Sequence, residues 1–68
     1  PTSGVVHINS EKTLRNLRVL DVAGKLVYTI NGELDQFTEI DLSDLNKGSY
    51  ILQLEENGVV VTEKLLLE

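Results

Sequence analysis

Residues 50–68 read YILQLEENGVVVTEKLLLE, and this stretch decides the fold. Apolar and polar residues alternate from Tyr50 to Glu56, which is the period of a half-buried strand. The dipeptide Asn57-Gly58 follows, and it is typical of the two-residue turn of a β-hairpin. A second, largely apolar stretch runs from Val59 to the last residue. The sequence therefore predicts a β-hairpin at the end of the chain, which we call the closing hairpin.

The register of this hairpin follows from its turn and contains one mismatch. A two-residue turn at Asn57-Gly58 sets Leu52 opposite Glu63, which places a charge on the apolar face. We therefore predict a β-bulge near Thr62 to Lys64 that shifts the register of the residues after it. The other inward pairs are apolar: Leu54 with Val61 and Tyr50 with Leu65.

Upstream of the hairpin, alternation predicts further short strands, and helical spacing over more than a turn is absent. The turn signals between them are Gly24 and Asn31-Gly32-Glu33, while residues 9–16 are predicted to be a connection with at most one short strand. Six or seven short strands separated by regular turn signals predict a small antiparallel, immunoglobulin-like β-sandwich. The predicted upstream strands are Val5 to Ile8, Leu17 to Val22, Lys25 to Ile30 and Gln36 to Leu42.

The segment between the last upstream strand and the closing hairpin predicts a tight turn. Ser43 can cap a single helical or 3₁₀ turn, and Gly48 can leave it through a left-handed conformation. Leu45 would reach the edge of the core from this turn. In the strand before it, Ile40 and Leu42 are the predicted inward pair.

Asp21 is a carboxylate on an otherwise apolar strand face, after Leu17 and Val19. One interpretation is that it accepts hydrogen bonds from the backbone N–H groups of the following turn, which Gly24 completes with a positive φ. The other is a metal ligand, which would need further carboxylates. None lies nearby in sequence, so the turn interpretation is favoured.

Size and composition exclude several classes of protein. The chain has 68 residues, no Cys, one His and a net charge of -5. We expect a single domain over residues 1–68, cut from a longer precursor because it starts with Pro1. Disulfides and thiolate zinc sites are excluded, and we expect no nucleic-acid partner because no basic patch is present. No apolar run approaches the roughly 20 residues of a membrane span.

No catalytic constellation is recognisable. His7 falls on a predicted outward strand face without a nucleophile around it. Four acidic residues, Asp41, Asp44, Glu55 and Glu56, have a spacing that matches no calcium loop, and a solvated surface explains them. We therefore predict a non-enzymatic domain without cofactor or metal.

The order of turns resembles a known family. The strings LRVLDVAGKLV (residues 17–27) and IDLSDLNKGSYILQLEENGVVVTEKLLLE (residues 40–68) resemble the type A C-terminal sorting domain of the type IX secretion system of Bacteroidetes. The opening PTSGVVHI is similar to the start of that domain. The matching positions are Leu20-Asp21, Gly24-Lys25, Leu45, Gly48, Tyr50, Asn57-Gly58 and Lys64.

The resemblance implies a targeting module without chemistry of its own. In this family the passenger protein crosses the inner membrane, folds in the periplasm and is carried across the outer membrane by machinery that recognises the sorting domain. A sortase-like cysteine peptidase generally removes the domain at the surface, cutting upstream of its folded part. The resemblance thus predicts the outer-membrane secretion machinery and this peptidase as partners, and a cell-surface or extracellular destination.

We assign partner recognition to the closing hairpin and to one distant turn. An apolar edge strand without Pro can accept a strand from a receptor, and exposed edges would also allow strand-mediated self-association. The predicted recognition residues are Gly24, Lys25, Val61, Lys64, Leu65 and Leu66. The residues predicted to determine the fold are Asp21, Gly24, Gly48, Tyr50, Asn57 and Gly58.

A second interpretation comes from a different class of protein. A β-sandwich of this size could be an accessory module of a secreted enzyme, either a fibronectin-like spacer or a carbohydrate binder. Such a module stays attached to the mature protein and can lie anywhere in it. A sorting domain lies at the end of its precursor and is absent from the secreted product.

Overall fold

Residues 4–68 are described by a computed structural model, and they form six β-strands without a helix. The all-β class and the number of strands are as predicted from the alternation. Pro1 to Ser3, which open the family resemblance, lie outside the described residues. The strands are β1 (Val5–Asn9), β2 (Leu14–Asp21), β3 (Leu26–Glu33), β4 (Phe37–Asp41), β5 (Gly48–Glu56) and β6 (Val59–Leu67).

The six strands form two antiparallel sheets. One sheet has four strands in the order β3-β2-β5-β6, and the other pairs β1 with β4. In the larger sheet, the hairpins β2–β3 and β5–β6 are joined through the pairing of β2 with β5. Each sheet has an apolar face, and these faces are shielded from water only when the two sheets stack against each other. The arrangement is therefore the predicted small β-sandwich.

The core lies between the sheets and is made mostly of leucine. Leu17, Val19 and Ile40 are fully inaccessible, and Leu42 is 2% exposed, so the predicted inward pair of residues 40 and 42 is confirmed. Val6 and Ile8 pack against this core from β1, whereas His7 is exposed as expected. The other buried side chains are Leu14, Leu34, Tyr50, Leu52, Leu54 and Leu67.

The predicted turn at Asn31-Gly32-Glu33 is wrong, because these residues belong to β3. Between Arg15 and Leu17 of β2 the register of β3 advances from Glu33 to Ile30, so β3 contains a bulge. Gly32 has a φ of 92°, which supplies the bulge with a conformation that other residues avoid. The Asn-Gly sequence therefore bends a continuous strand instead of reversing the chain.

Asn16 holds this bulge from the neighbouring strand. It adopts a φ of 54°, in the left-handed region that Asn tolerates better than most residues. Its Oδ1 accepts a hydrogen bond from the backbone N–H of Gly32 at 2.8 Å, and its Nδ2 donates to Glu55 Oε2, also at 2.8 Å. One half-buried side chain in β2 thus connects β3 to β5.

Two smaller differences from the prediction also arise from bulges or strand ends. Strand β2 begins at Leu14, so the last residues of the predicted connection are strand. Simple alternation along the predicted strand Lys25 to Ile30 would place Leu26 and Tyr28 on one face, but they pair with Leu20 and Val19, respectively, and therefore face opposite sides. The reason is a second register shift, between Val19 and Leu20.

The connection from β4 to β5 contains one tight turn closed by an i to i+3 hydrogen bond, which is the bond of the predicted single 3₁₀ turn. Leu45 N–H donates to the carbonyl of Leu42 at 3.0 Å, and Asp41, not Ser43, caps the turn by accepting the Ser43 N–H at 2.9 Å. Hydrogen bonds from the Ser43 side chain and backbone lower the pKa of Asp41. Leu45 packs against the core as predicted, and Gly48 enters β5 with a φ of 144°.

Candidate recognition surface

The closing hairpin has the predicted turn and register. Asn57 and Gly58 have φ values of 51° and 84°, the left-handed pair that a type I′ turn requires. Pairing runs without interruption from Glu56 opposite Val59 to Gly48 opposite Leu67. The Asn57 N–H also donates to the carbonyl of Thr13 at 3.1 Å, which anchors the turn to the connection before β2.

The predicted bulge near Thr62 to Lys64 is wrong, and Leu52 lies directly opposite Glu63. Leu52 is 8% exposed, whereas Glu63 remains exposed on the same side of the sheet. The difference arises because β6 is the outermost strand of its sheet, where an inward side chain can still reach water. An inward-pointing charge on an edge strand is a common protection against unwanted pairing.

The outer side of β6 presents unpaired backbone groups. In a two-residue hairpin the residues flanking the turn, Glu56 and Val59, form a hydrogen-bonded pair, and such pairs then alternate along the ladder. Odd-numbered residues of β6 therefore bond β5. The backbone N–H and C=O groups of the even-numbered residues point away from β5. We call these outward-directed groups of Val60, Thr62, Lys64 and Leu66 the β6 edge.

A groove opens between the β6 side of the large sheet and β1 of the small sheet. Its volume is about 310 Å³, and we call it the flank groove. Within residues 4–68, β1 pairs with β4 and not with β6, so the sandwich is not closed by backbone pairing on this flank. Core side chains therefore reach the groove from both sheets, among them Val6, Ile8, Leu52, Leu54 and Val61, with Glu63 beside them.

The outer face of the large sheet carries an exposed apolar cluster, which we call the outer patch. Leu20 pairs with Ile51, which in turn pairs with Lys64, so the patch extends across three strands to β6. The exposed fractions are 82% for Val22, 48% for Leu26, 39% for Ile51 and 41% for Leu66. The sequence prediction did not identify this patch, although apolar residues at outward positions of neighbouring strands were its signal.

The turn between β2 and β3 is organised by Asp21. Its Oδ1 accepts the N–H groups of Ala23 and Lys25, both at 2.9 Å, so the turn interpretation is confirmed. Gly24 donates its N–H to the Asp21 carbonyl at 3.0 Å and has the predicted positive φ, 83°. The carboxylate is thus occupied by backbone donors, as the favoured interpretation required.

The predicted recognition residues fall on two faces. Lys64 and Leu66 lie on the outer face, at the end of the sheet where Asp21 pairs with Tyr50, so the turn with Gly24 and Lys25 is at the same end. Val61 and Leu65 are half-buried and face the core. The structure therefore brings together the turn, Lys64 and Leu66. Glu63 and the outer patch, which were not among the predicted recognition residues, lie beside them.

Tyr50, predicted to determine the fold, lies at this same end of the sheet. It is 7% exposed, and its hydroxyl donates to the Asn46 carbonyl at 2.6 Å. The bond ties the β4–β5 connection to β5. A buried tyrosine with a satisfied hydroxyl combines a large apolar contact with a fixed loop position.

Some charged side chains in the described part of the chain have a charged partner, and others have none. Ion pairs occur between Lys12 and Glu56 at 3.0 Å and between Arg15 and Glu33 at 4.0 Å. In residues 4–68, neither Glu63 nor Lys64 has an ion-pair or side-chain hydrogen-bond partner. Glu63 and Lys64 are consecutive in β6, so the negative charge lies on the inner face of the sheet and the positive charge on the outer face. Both charges are available to a partner.

The described residues hold no group of three His, Asp or Glu side chains positioned to bind a metal ion. His7 contacts Glu39 with 3.7 Å between Nδ1 and Oε2, and both side chains are largely exposed. The described part of the chain also contains no helix of the length and hydropathy needed to cross a membrane.

Comparison with known protein families identifies a match. The family described as "Secretion system C-terminal sorting domain" matches residues 1–68, which is the whole chain. No curated protein and no solved structure matches.

Proposed function

The chain belongs to the family of secretion system C-terminal sorting domains, and on that premise we propose that it directs an upstream passenger protein across the outer membrane through the type IX machinery. The family is a type IX sorting signal, so interaction with secretion machinery and export towards the cell surface or the extracellular space follow from membership. The proposal adds that residues 1–68 are one folded signal that is read without catalysis.

The match over the whole chain is the observation that carries this proposal. The hairpin β5–β6 supports the assignment of recognition, since its outermost strand has an uninterrupted register and an unpaired side. Strand addition to such an edge is a common way for one protein to bind another. We assign the contact to Val61, Lys64, Leu65 and Leu66, with Gly24 and Lys25 as an outlying contact.

The remaining steps of the pathway are part of the proposal. The passenger folds in the periplasm, the domain crosses the outer membrane with it, and a sortase-like cysteine peptidase then cuts upstream of the folded part of the domain. Cleavage upstream of the strands is favoured because a peptidase needs an extended segment outside a hydrogen-bonded sheet. The source expected for such a chain is a member of the Bacteroidetes.

An export assay tests the central claim. Residues 1–68 are fused through a short linker to a reporter with an N-terminal export signal, in a bacterium that possesses the type IX system. We expect the reporter in the medium or on the cell surface and the domain absent from the released product. Retention in the periplasm, while a known sorting domain exports the same reporter, would refute the proposal and favour the accessory-module interpretation.

A truncation tests the assignment to the closing strand. Deleting Val61 to Glu68 removes most of β6, and we expect the reporter to remain in the periplasm although it still folds and stays active. The matched control is Arg18→Ala, which changes an exposed side chain on the same sheet outside β6. Normal export of the truncated fusion would exclude β6 as part of the signal.

A further inference from the structure

We propose that the β6 edge accepts a partner strand with a reversed pair of charges, a Lys or Arg facing Glu63 and an Asp or Glu facing Lys64. The inference rests on the proposed function, because it specifies what the secretion machinery would present to β6. It also adds Glu63 to the recognition residues, from which the sequence prediction omitted it.

The backbone of β6 fits strand addition. The strand Val59–Leu67 contains neither Pro nor a bulge, and its even-numbered residues direct N–H and C=O groups away from β5. These features normally make an edge prone to unspecific pairing. Here Glu63 disfavours an incoming strand that is apolar throughout, because the inward carboxylate would then face an apolar side chain of that strand.

The flank groove determines which side chains a partner strand needs. Residues directly opposite each other in a sheet share a face, so alternate side chains of an added strand would point towards the groove. Beside the half-buried Val61 the groove favours an apolar side chain, and beside Glu63 it favours a cation. Leu65 does not line the groove, but it is half-buried on the same face and also favours an apolar neighbour. On the outer face, the side chain opposite Lys64 would complement its charge by being acidic.

A second copy of this chain does not satisfy these requirements. Antiparallel pairing of β6 with itself, centred on Glu63, would set two carboxylates against each other, and centring it on Lys64 would oppose two ammonium groups. Centring on Thr62 would set Glu63 against Val61 and Lys64 against Val60. Like charges directly opposite each other destabilise a sheet, and the last register leaves both charges without partners. The charge order of β6 therefore selects a different protein.

For antiparallel addition, the complementary strand can be written as a short pattern. Read from its N-terminus, the partner is apolar, acidic, basic, variable and apolar. These side chains lie opposite Leu65, Lys64, Glu63, Thr62 and Val61 in that order. The pattern uses the two unpaired charges of β6 together and keeps apolar contacts on either side of them.

A tethered strand tests the proposal on the folded domain. The sequence Asn-Gly-Thr-Val-Thr-Val-Asp-Lys-Thr-Val is added after Glu68, so that a two-residue turn brings the new strand antiparallel to the β6 edge in the stated register. The control strand exchanges only its Asp and Lys. Tethering raises the effective concentration of the strand to the millimolar range, so weak pairing is detectable.

Amide hydrogen exchange at Thr62 and Lys64 is the measurement. Two cross-strand charge pairs change from attraction to repulsion in the control, so we expect on the order of tenfold greater protection with the matched strand. Glu63→Lys combined with Lys64→Glu should invert this preference. Equal protection by both strands, a preference that the double variant does not invert, or no protection by either strand would overturn the inference.

The outcome is separable from that of the export assay. Pairing is measured on purified protein without secretion machinery, whereas the reporter fusion with the unchanged domain tests the proposed function alone. Export by the unchanged domain together with no charge preference would overturn only this inference. Retention of that fusion would overturn the proposed function, whatever the tethered strands show.

Discussion

Asn16 provides the most specific test of how the large sheet is held together. Its side chain connects the bulge at Gly32 to Glu55 of β5, while its own backbone has a φ of 54°. We consider two substitutions that separate these contributions. Asn16→Gly removes the two hydrogen bonds but accepts the positive φ, and Asn16→Ala removes the bonds and leaves a strained backbone.

The expected losses follow from the structure. The bond to the Gly32 N–H is worth about 1 kcal/mol, and the bond to the Glu55 carboxylate about 1.5 kcal/mol because both groups are only half-buried. Asn16→Gly should therefore lower the free energy of unfolding by about 2 to 3 kcal/mol, and Asn16→Ala by about 1 kcal/mol more. A domain of this size has a total stability of roughly 3 to 10 kcal/mol, so both effects are large.

Urea unfolding followed by far-ultraviolet circular dichroism measures these changes. With a slope of about 1 kcal/mol per molar urea, the midpoint of the glycine variant should fall by about 2 to 3 M, or the variant should be unfolded in water. Arg18→Ala, at an exposed position of the same strand, should change stability by less than about 0.5 kcal/mol. A glycine variant as stable as the wild type, or an alanine variant no less stable than the glycine variant, would refute the reasoning.

Three further predictions concern other parts of the fold. Hydrogen bonds from Ser43 lower the pKa of Asp41 in the folded state. The Asp41 carboxylate therefore stabilises the domain at pH values above its ordinary pKa of 3.8, and this contribution is lost as the pH falls through the lowered pKa of the folded state. Asp41→Asn should flatten the decrease in urea midpoint between about pH 5 and 3, and a decrease parallel to the wild type would contradict this. Glu63→Val removes the inward charge of β6 and should cause self-association in size-exclusion chromatography at concentrations where the wild type is monomeric; an unchanged elution volume would argue against a protective role. Tyr50→Phe removes the bond to Asn46 and should lower stability by about 1 kcal/mol, which a wild-type urea midpoint would disprove.

The sequence was sufficient for the features that depend on local periodicity. Alternation identified the strand class, and Asn57-Gly58 set the register of β5 with β6 because both central residues need a positive φ. The hydrogen bonds of Asp21 followed from ordinary turn chemistry. In these cases neighbouring residues alone determine the geometry.

Features that depend on a distant strand were predicted wrongly or not at all. Asn31-Gly32 has the local sequence signature of a turn. It forms a bulge instead, because the Gly32 N–H donates to the side chain of Asn16, which lies at least fifteen residues earlier in the chain. The predicted bulge near Thr62 to Lys64 assumed that every inward position is covered, but Glu63 lies on an edge strand that remains open to water. The outer patch was missed because it needs the strand order β3-β2-β5-β6, which alternation does not contain.

The strand order also has a kinetic consequence. The hairpin β5–β6 closes through a two-residue turn, and such hairpins form in about 1–10 μs. The pairings of β2 with β5 and of β1 with β4 join distant parts of the chain, so they pay loop-closure entropy and should limit the folding rate. The β6 edge can thus exist early, whereas the flank groove requires β1 to be in place. A receptor that binds both would engage only a domain that has completed folding, which would make the signal a sensor of the folded state.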